Sequence, residues 1–195
     1  MRQKNFCCAQ IIVAPGRGLC HNEGMERELT CCFTGHRAEK LPWRDNDRAP
    51  DCLRLKAAIA DVLNSLYAAG FRHFICGMAT GADIYFGEAA AALREEHPDV
   101  TLEAAIPFQG QERRWSPYWK TRYFRLAESC DKLTVLHSEY TPECMMDRNR
   151  YMVDASRALV AVYSGEPGGT RNTMLYAMRQ GLEIIELSVE GRRQN

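Results

Sequence analysis

Apolar positions along the chain switch repeatedly between two spacings. Short continuous runs rich in Val, Ile, Leu, Cys and Phe at residues 28–33, 71–76, 99–106, 132–137, 157–163 and 183–187 read as buried strands. Between them, apolar residues recur every three or four positions, the period of an amphipathic helix. Residues 51–69 show this most clearly, with Leu55, Ile59, Val62, Leu63 and Leu66 on one face and Gly70 closing the segment. Further helices are predicted over residues 82–96, 118–129, 144–155 and 170–180. Ahead of residue 144, Thr141 is expected to cap and Pro142 to take the first helical position. The last helix carries Met174, Leu175, Ala177 and Met178 at helical spacing. Strand and helix alternating in this way predict an α/β fold, a Rossmann-like parallel sheet with helices on both faces.

In such sheets ligands sit beyond the carboxyl ends of the strands, near the switch in strand order. Three glycine-bearing turns follow predicted strands and therefore share that edge. They are Thr34-Gly35-His36-Arg37, the turn bearing Gly77, Thr80, Gly81, Ala82 and Asp83, and the turn running from Ser164 and Gly165 to Gly168, Gly169 and Thr170. The third opens a helix, whose free N–H groups and dipole favour an anion, and its glycines let a ligand approach the backbone. Equally, Gly168 and Gly169 fit a tight turn with Thr170 as N-cap. Convergence of three such turns points to a pocket for a nucleotide-type ligand, held by backbone N–H groups and the hydroxyls of Thr34, Thr80, Ser164 and Thr170. Arg37 suits bidentate pairing with a phosphate, and His36 suits donation to a phosphate or base; both also fit ordinary loop residues. Neither Gly-x-Gly-x-x-Gly with a following acid nor Gly-x-x-x-x-Gly-Lys-[Ser/Thr] occurs, which argues against an ordinary dehydrogenase and a P-loop ATPase.

Length and charge narrow the choice. The 195 residues fit one domain, expected over residues 28–188, with residues 1–27 a poorly ordered extension, Met25 a candidate start, and residues 189–195 a charged tail. A formal net charge of zero offers no sequence-independent grip on nucleic acid or an acidic membrane. Nine cysteines lack Cys-x-x-Cys or zinc-ligand spacing, so they read as reduced thiols of a cytoplasmic protein, with no metal site expected. No window approaches the apolar length of a membrane span.

Five motifs together carry a resemblance. Thr34-Gly35-His36-Arg37, Gly77-Met78-Ala79-Thr80-Gly81-Ala82-Asp83, Ile106-Pro107-Phe108 with Gln111 and Trp115, Asn149-Arg150-Tyr151-Met152-Val153-Asp154 and Gly168-Gly169-Thr170 follow one another in the order seen in the YpsA-like family of the SLOG superfamily. The chain resembles that family over nearly all of residues 29–187. The resemblance implies a Rossmann-like SLOG domain of bacterial type, and it adds Phe108 to the expected ligand contacts. It also implies kinship with LOG-type phosphoribohydrolases and with the DNA-processing protein DprA, and it allows a homodimer or a protein partner.

The hydrolase kinship meets a departure in this sequence. LOG-type enzymes carry Pro-Gly-Gly-x-Gly-Thr-x-x-Glu, whereas here Arg171 and Asn172 replace the Gly-Thr and Leu175 stands at the glutamate's place. A carboxylate is needed to stabilise the developing oxocarbenium charge or to activate water. Asp83 is the candidate substitute, with Asp154 as another, although an acid at a helix start is also explained by the helix dipole. The expectation is therefore a non-catalytic nucleotide-binding sensor needing no cofactor. An N-glycosidase using Asp83 is the alternative, and DprA-like single-stranded DNA binding a second alternative. Trp115, Tyr118, Trp119 and Tyr123 among Arg113, Arg114, Lys120 and Arg122 suit base stacking, or else a helix that packs its aromatics inward. Arg148, Arg150 and Tyr151 either line the pocket's far side or, for the arginines, form a solvated helix face.

Overall fold

The computed structural model describes residues 11–13 and 27–189. Seven strands are described: β1 (Ile11–Val13), β2 (Thr30–Thr34), β3 (His73–Cys76), β4 (Thr101–Phe108), β5 (Lys132–His137), β6 (Ala158–Tyr163) and β7 (Glu183–Ser188). They form one all-parallel sheet in the order β1-β5-β4-β3-β2-β6-β7. Five helices connect them: α1 (Pro50–Ala68), α2 (Ala82–Glu96), α3 (Pro117–Ser129), α4 (Cys144–Asp154) and α5 (Gly169–Arg179). The Rossmann-like α/β architecture expected from the apolar pattern is the one observed. The expected extension and tail lie largely outside the described residues; Ile11–Val13 pairs in parallel register with residues 133–135 of β5.

Side-chain alternation along the strands explains why both sheet faces are covered. Cys31 and Phe33 of β2, Phe74 and Cys76 of β3, and Leu102, Ala104 and Ile106 of β4 point to the face holding α1, α2 and α3. Cys32, Ile75 and Ala105 point to the opposite face, against α4 and α5. Helix α1 buries Cys52, Leu55, Ile59, Leu63 and Leu66 at helical spacing, and Gly70, at φ 100°, ends the segment. Phe33 stacks on Phe86 of α2 at 4.5 Å between ring centroids, tying β2 to its covering helix.

Two local expectations, both of helix caps, are corrected. Glu143 caps α4, and Thr141 and Pro142 lie in the turn before it, where the Cys144 N–H donates to the Thr141 carbonyl at 3.3 Å. Gly168 rather than Thr170 caps α5, its carbonyl accepting from the Asn172 N–H at 3.0 Å. On α5, Met174 and Ala177 face the core while Leu175 and Met178 are exposed, because the helix covers the edge of the sheet with only one stripe.

The topology also fixes where the chain reverses. From β2 the sheet grows through β3, β4 and β5 in one direction, and β6 then returns to the other side of β2. The carboxyl ends of β2 and β6 consequently diverge into two separate turns, leaving a crevice between them.

Candidate functional site

That crevice is a cleft of about 340 Å³. One wall is the turn after β2, with Thr34, Gly35, His36 and Arg37, continued by Glu39 and Lys40 of the 3-10 turn Ala38–Lys40. The opposite wall is the turn after β6 and the start of α5, with Glu166, Pro167, Gly168, Gly169 and Thr170. Ala79 and Asp83 contribute from around the start of α2, and Met145, Arg148 and Asn149 from α4. The backbone N–H groups at the start of α5 and the side chains of Arg37, Lys40 and Arg148 offer donors to the cleft, alongside the carboxyl groups of Glu39, Asp83 and Glu166. Among the described residues, no carboxylate lies within ion-pair distance of Arg37 or Lys40.

Arg148 and Asp83 form a buried pair, 3.8 Å apart between Nη1 and Oδ1. Burial pushes the Asp83 carboxyl up to about 6, against the opposing pull of Arg148, Arg37 and the backbone N–H groups of Ala79 and Asp83 itself. Burial likewise pushes Arg148 down, against the pull of Asp83. Arg148 Nη1 donates to the Gly77 carbonyl, while its Nε is buried without a hydrogen-bond partner. A Cβ at Gly77 would run into both the Arg148 guanidinium and the Asp83 carboxylate, so glycine there makes room for the pair.

His36 is buried, and its Nε2 accepts a hydrogen bond from the Ser164 N–H at 3.1 Å, joining the two walls. Burial and the nearby Lys40 hold its pKa below the usual histidine range. The neutral ring with a proton on Nδ1 satisfies this bond, so the Nε2 edge is already engaged.

Of the residues expected to bind ligand, the cleft brings together Thr34, Gly35, His36, Arg37, Asp83, Gly168, Gly169 and Thr170. Gly77, Thr80, Gly81, Ala82, Ser164 and Gly165 lie outside its lining. Three of the glycines serve protein-on-protein contact, Gly35 in addition to its place in the lining. Gly35 lets Ala82 approach, Gly77 admits Arg148, and Gly81, at φ 87°, sits against the backbone of residues 36–38. Phe108 lines a separate cavity of about 750 Å³ with Arg113, Arg114 and Tyr140, its ring edge-on to Tyr140 at 5.4 Å. Lys40, which carries no motif, is the cleft cation that pattern reading missed, and Arg148, left open between two roles, takes the pocket-lining one. Arg150 is exposed beside Asp147, and Tyr151 donates to Glu103 at 2.6 Å.

The aromatic and basic residues of α3 are mostly engaged within the protein. Trp119 and Tyr123 are buried, Trp119 Nε1 donates to Asp45 at 2.8 Å, and Arg122 pairs with Glu88 while lying over Tyr85. No described helix is long and apolar enough to cross a membrane.

Comparison with known proteins bears on this arrangement. The YpsA family model, described as the YspA SLOG family, matches residues 31–187. The SPbeta prophage-derived protein YoqJ of Bacillus subtilis (strain 168) is 32% identical over 143 residues, covering 67% of this chain and 84% of the relative. The UPF0398 protein YpsA of the same strain is 27% identical over 146 residues, covering 73% and 80%. Among solved structures, DNA processing protein A from Helicobacter pylori, studied for its single-stranded DNA binding mode, superposes with a TM-score of 0.57 at 14% identity, over 89% of this chain and 70% of that one. This last likeness is one of fold alone. The family match spans every motif around the cleft, and the chain belongs to the YpsA family of SLOG proteins.

Proposed function

We propose that the cleft binds a nucleotide or nucleotide-derived ligand through its phosphate, and that the protein works as a sensor or regulatory module rather than by turnover. The observation that carries this reading is the meeting of the α5 N-terminus with Arg37 and Lys40, neither of which has a carboxylate within ion-pair distance among the described residues. Glu39, Asp83 and Glu166 on the same lining supply acceptors suited to ribose hydroxyls. The non-catalytic side of the reading rests on Leu175, which stands where LOG-type enzymes hold a glutamate and is exposed on α5. The function needs no metal or redox cofactor.

A thermal-shift screen with nucleoside mono-, di- and triphosphates, ADP-ribose, NAD and cyclic nucleotides tests the proposal, because a bound ligand raises the melting temperature by mass action. Any hit is repeated on Gly169→Glu, whose side chain starts in open space at the cleft wall. A shift that disappears in the variant is expected; no shift with any nucleotide would overturn the reading.

A second reading is favoured by one specific observation, a buried carboxyl group, Asp83, in the cleft lining, where burial pushes its pKa up. As a hydrolase, the protein would release free base from a nucleoside monophosphate, and Asp83→Asn would abolish release while sparing binding. Binding without base release decides for the sensor.

A further inference from the structure

The cleft holds one buried ion pair whose members are poorly satisfied by each other. Arg148 is 7% exposed and Asp83 is 4% exposed. Their 3.8 Å separation exceeds the roughly 2.8 Å of a charge-assisted hydrogen bond. The guanidinium gives Nη1 to the Gly77 carbonyl and leaves Nε buried without a partner. Asp83 also feels the pull of Arg37 and of the neighbouring backbone N–H groups of Ala79 and of Asp83 itself. The arginine is therefore near the acid without being committed to it, and it already stands in the cleft wall.

We infer that an anionic group entering the cleft draws the Arg148 guanidinium away from Asp83, and that Asp83 takes up one proton from solvent in response. Anion binding and protonation are then coupled, a coupling that rests on the cleft being the anion site proposed for the nucleotide phosphate. A tetrahedral oxyanion offers the guanidinium the bidentate geometry that Asp83 does not. Once the arginine is shared, Asp83 is a buried carboxylate facing a second negative charge. Its carboxylate oxygen then accepts a proton to become the neutral acid. The other charged or titratable groups that face the pair are Arg37 from the turn after β2, Cys76 on β3 and Cys144 on α4, with His36 on the cleft wall. Burial pushes the Cys76 thiol up, so it stays neutral near pH 7. Burial and Lys40 hold His36 below its usual range, and its Nε2 is already engaged by the Ser164 N–H.

Inorganic sulfate is the probe, since unlike phosphate it does not titrate near neutrality. Its apparent affinity, read from thermal-shift titrations, is expected to rise by up to about tenfold per pH unit as pH falls from about 8 to about 6. Asp83→Asn should bind sulfate with a flat profile at or above the acid-limb affinity of the native protein. Infrared difference spectra of the native protein give a readout that needs no variant: adding sulfate at neutral pH should produce a carboxylic-acid C=O band. A flat native profile, absence of that band, or a pH dependence that persists in Asp83→Asn and so belongs to His36, would overturn the coupling and leave the anion site standing. Sulfate that fails to bind at every pH removes the site itself, and with it both readings.

Discussion

Asp83 in the cleft and Glu103 on β4 are both buried carboxylates, yet their surroundings push them in opposite directions. Glu103 is 1% exposed on the sheet face that packs against α4. It accepts from Thr134 and Tyr151 at 2.6 Å each, and both Lys132 Nζ and His73 Nε2 approach within about 3 Å, at 3.0 and 3.1 Å. Burial alone would raise its pKa, but His73, Thr134, Tyr151 and Lys132 together hold it down to about 2. Asp83 has one arginine at ion-pair distance, and burial carries it up to about 6. A fully bonded acid of this kind holds the sheet to its helix. A half-bonded one beside a cleft keeps its chemistry in reserve for something that arrives from outside.

The comparison is most severely tested by breaking its satisfied half. Glu103→Gln should cost about 3 kcal/mol at neutral pH, lowering the melting temperature by roughly 6–12 °C in a calorimetric scan. The sign of the pH effect differs between the two acids. Glu103 is depressed from 4.5 to about 2, so its stabilisation is present above 4.5 and lost as pH falls towards 2. Asp83 is raised from 3.8 to about 6, so its favourable contribution is full below 3.8 and is lost as pH rises through 6. Denaturant melts across pH should therefore lose their acid-side slope in Glu103→Gln and their slope between 3.8 and 6 in Asp83→Asn.

Gly77→Ala attacks the cleft pair through its floor. The added methyl displaces the Arg148 guanidinium, at a cost of about 2 kcal/mol in denaturant unfolding, and weakens anion binding at the same time. His36→Ala leaves the Ser164 N–H without its acceptor, which should cost about 1 kcal/mol and loosen the two walls against each other. Leu175→Glu sits at the small end, within about 0.5 kcal/mol because the side chain is already exposed. Base release appearing in that variant would mean that the rest of the hydrolase machinery is intact.

Much of the fold was legible because the sheet is buried on both faces, which writes its strands as continuous apolar runs. Helix α2 was read to the residue from its alanine-rich stretch between Gly81 and Pro98. Helix caps were less legible: Thr141 and Thr170 have the right chemistry, but local turn geometry started α4 and α5 elsewhere. In the cleft, glycines were read as openings for a ligand, since sequence cannot say what approaches a missing Cβ. Gly35, Gly77 and Gly81 turned out to receive Ala82, Arg148 and the residue 36–38 backbone. Arg148 stayed open between pocket wall and solvated helix face because its burial depends on β3 and α2, which lie far away in sequence. Glu103 carried no signal within its own strand, because its four partners come from β3, β5 and α4.

The central claim is that the cleft recognises a phosphate, and calorimetric titration of a nucleotide identified in the screen against the nucleoside lacking its phosphate tests it most directly. The account predicts heat of binding for the nucleotide and none for the nucleoside, with affinity falling at least about tenfold in Arg37→Ala, a loss of about 1.4 kcal/mol. Equal binding of nucleotide and nucleoside, or an Arg37→Ala protein that binds as tightly as the native one, would contradict it.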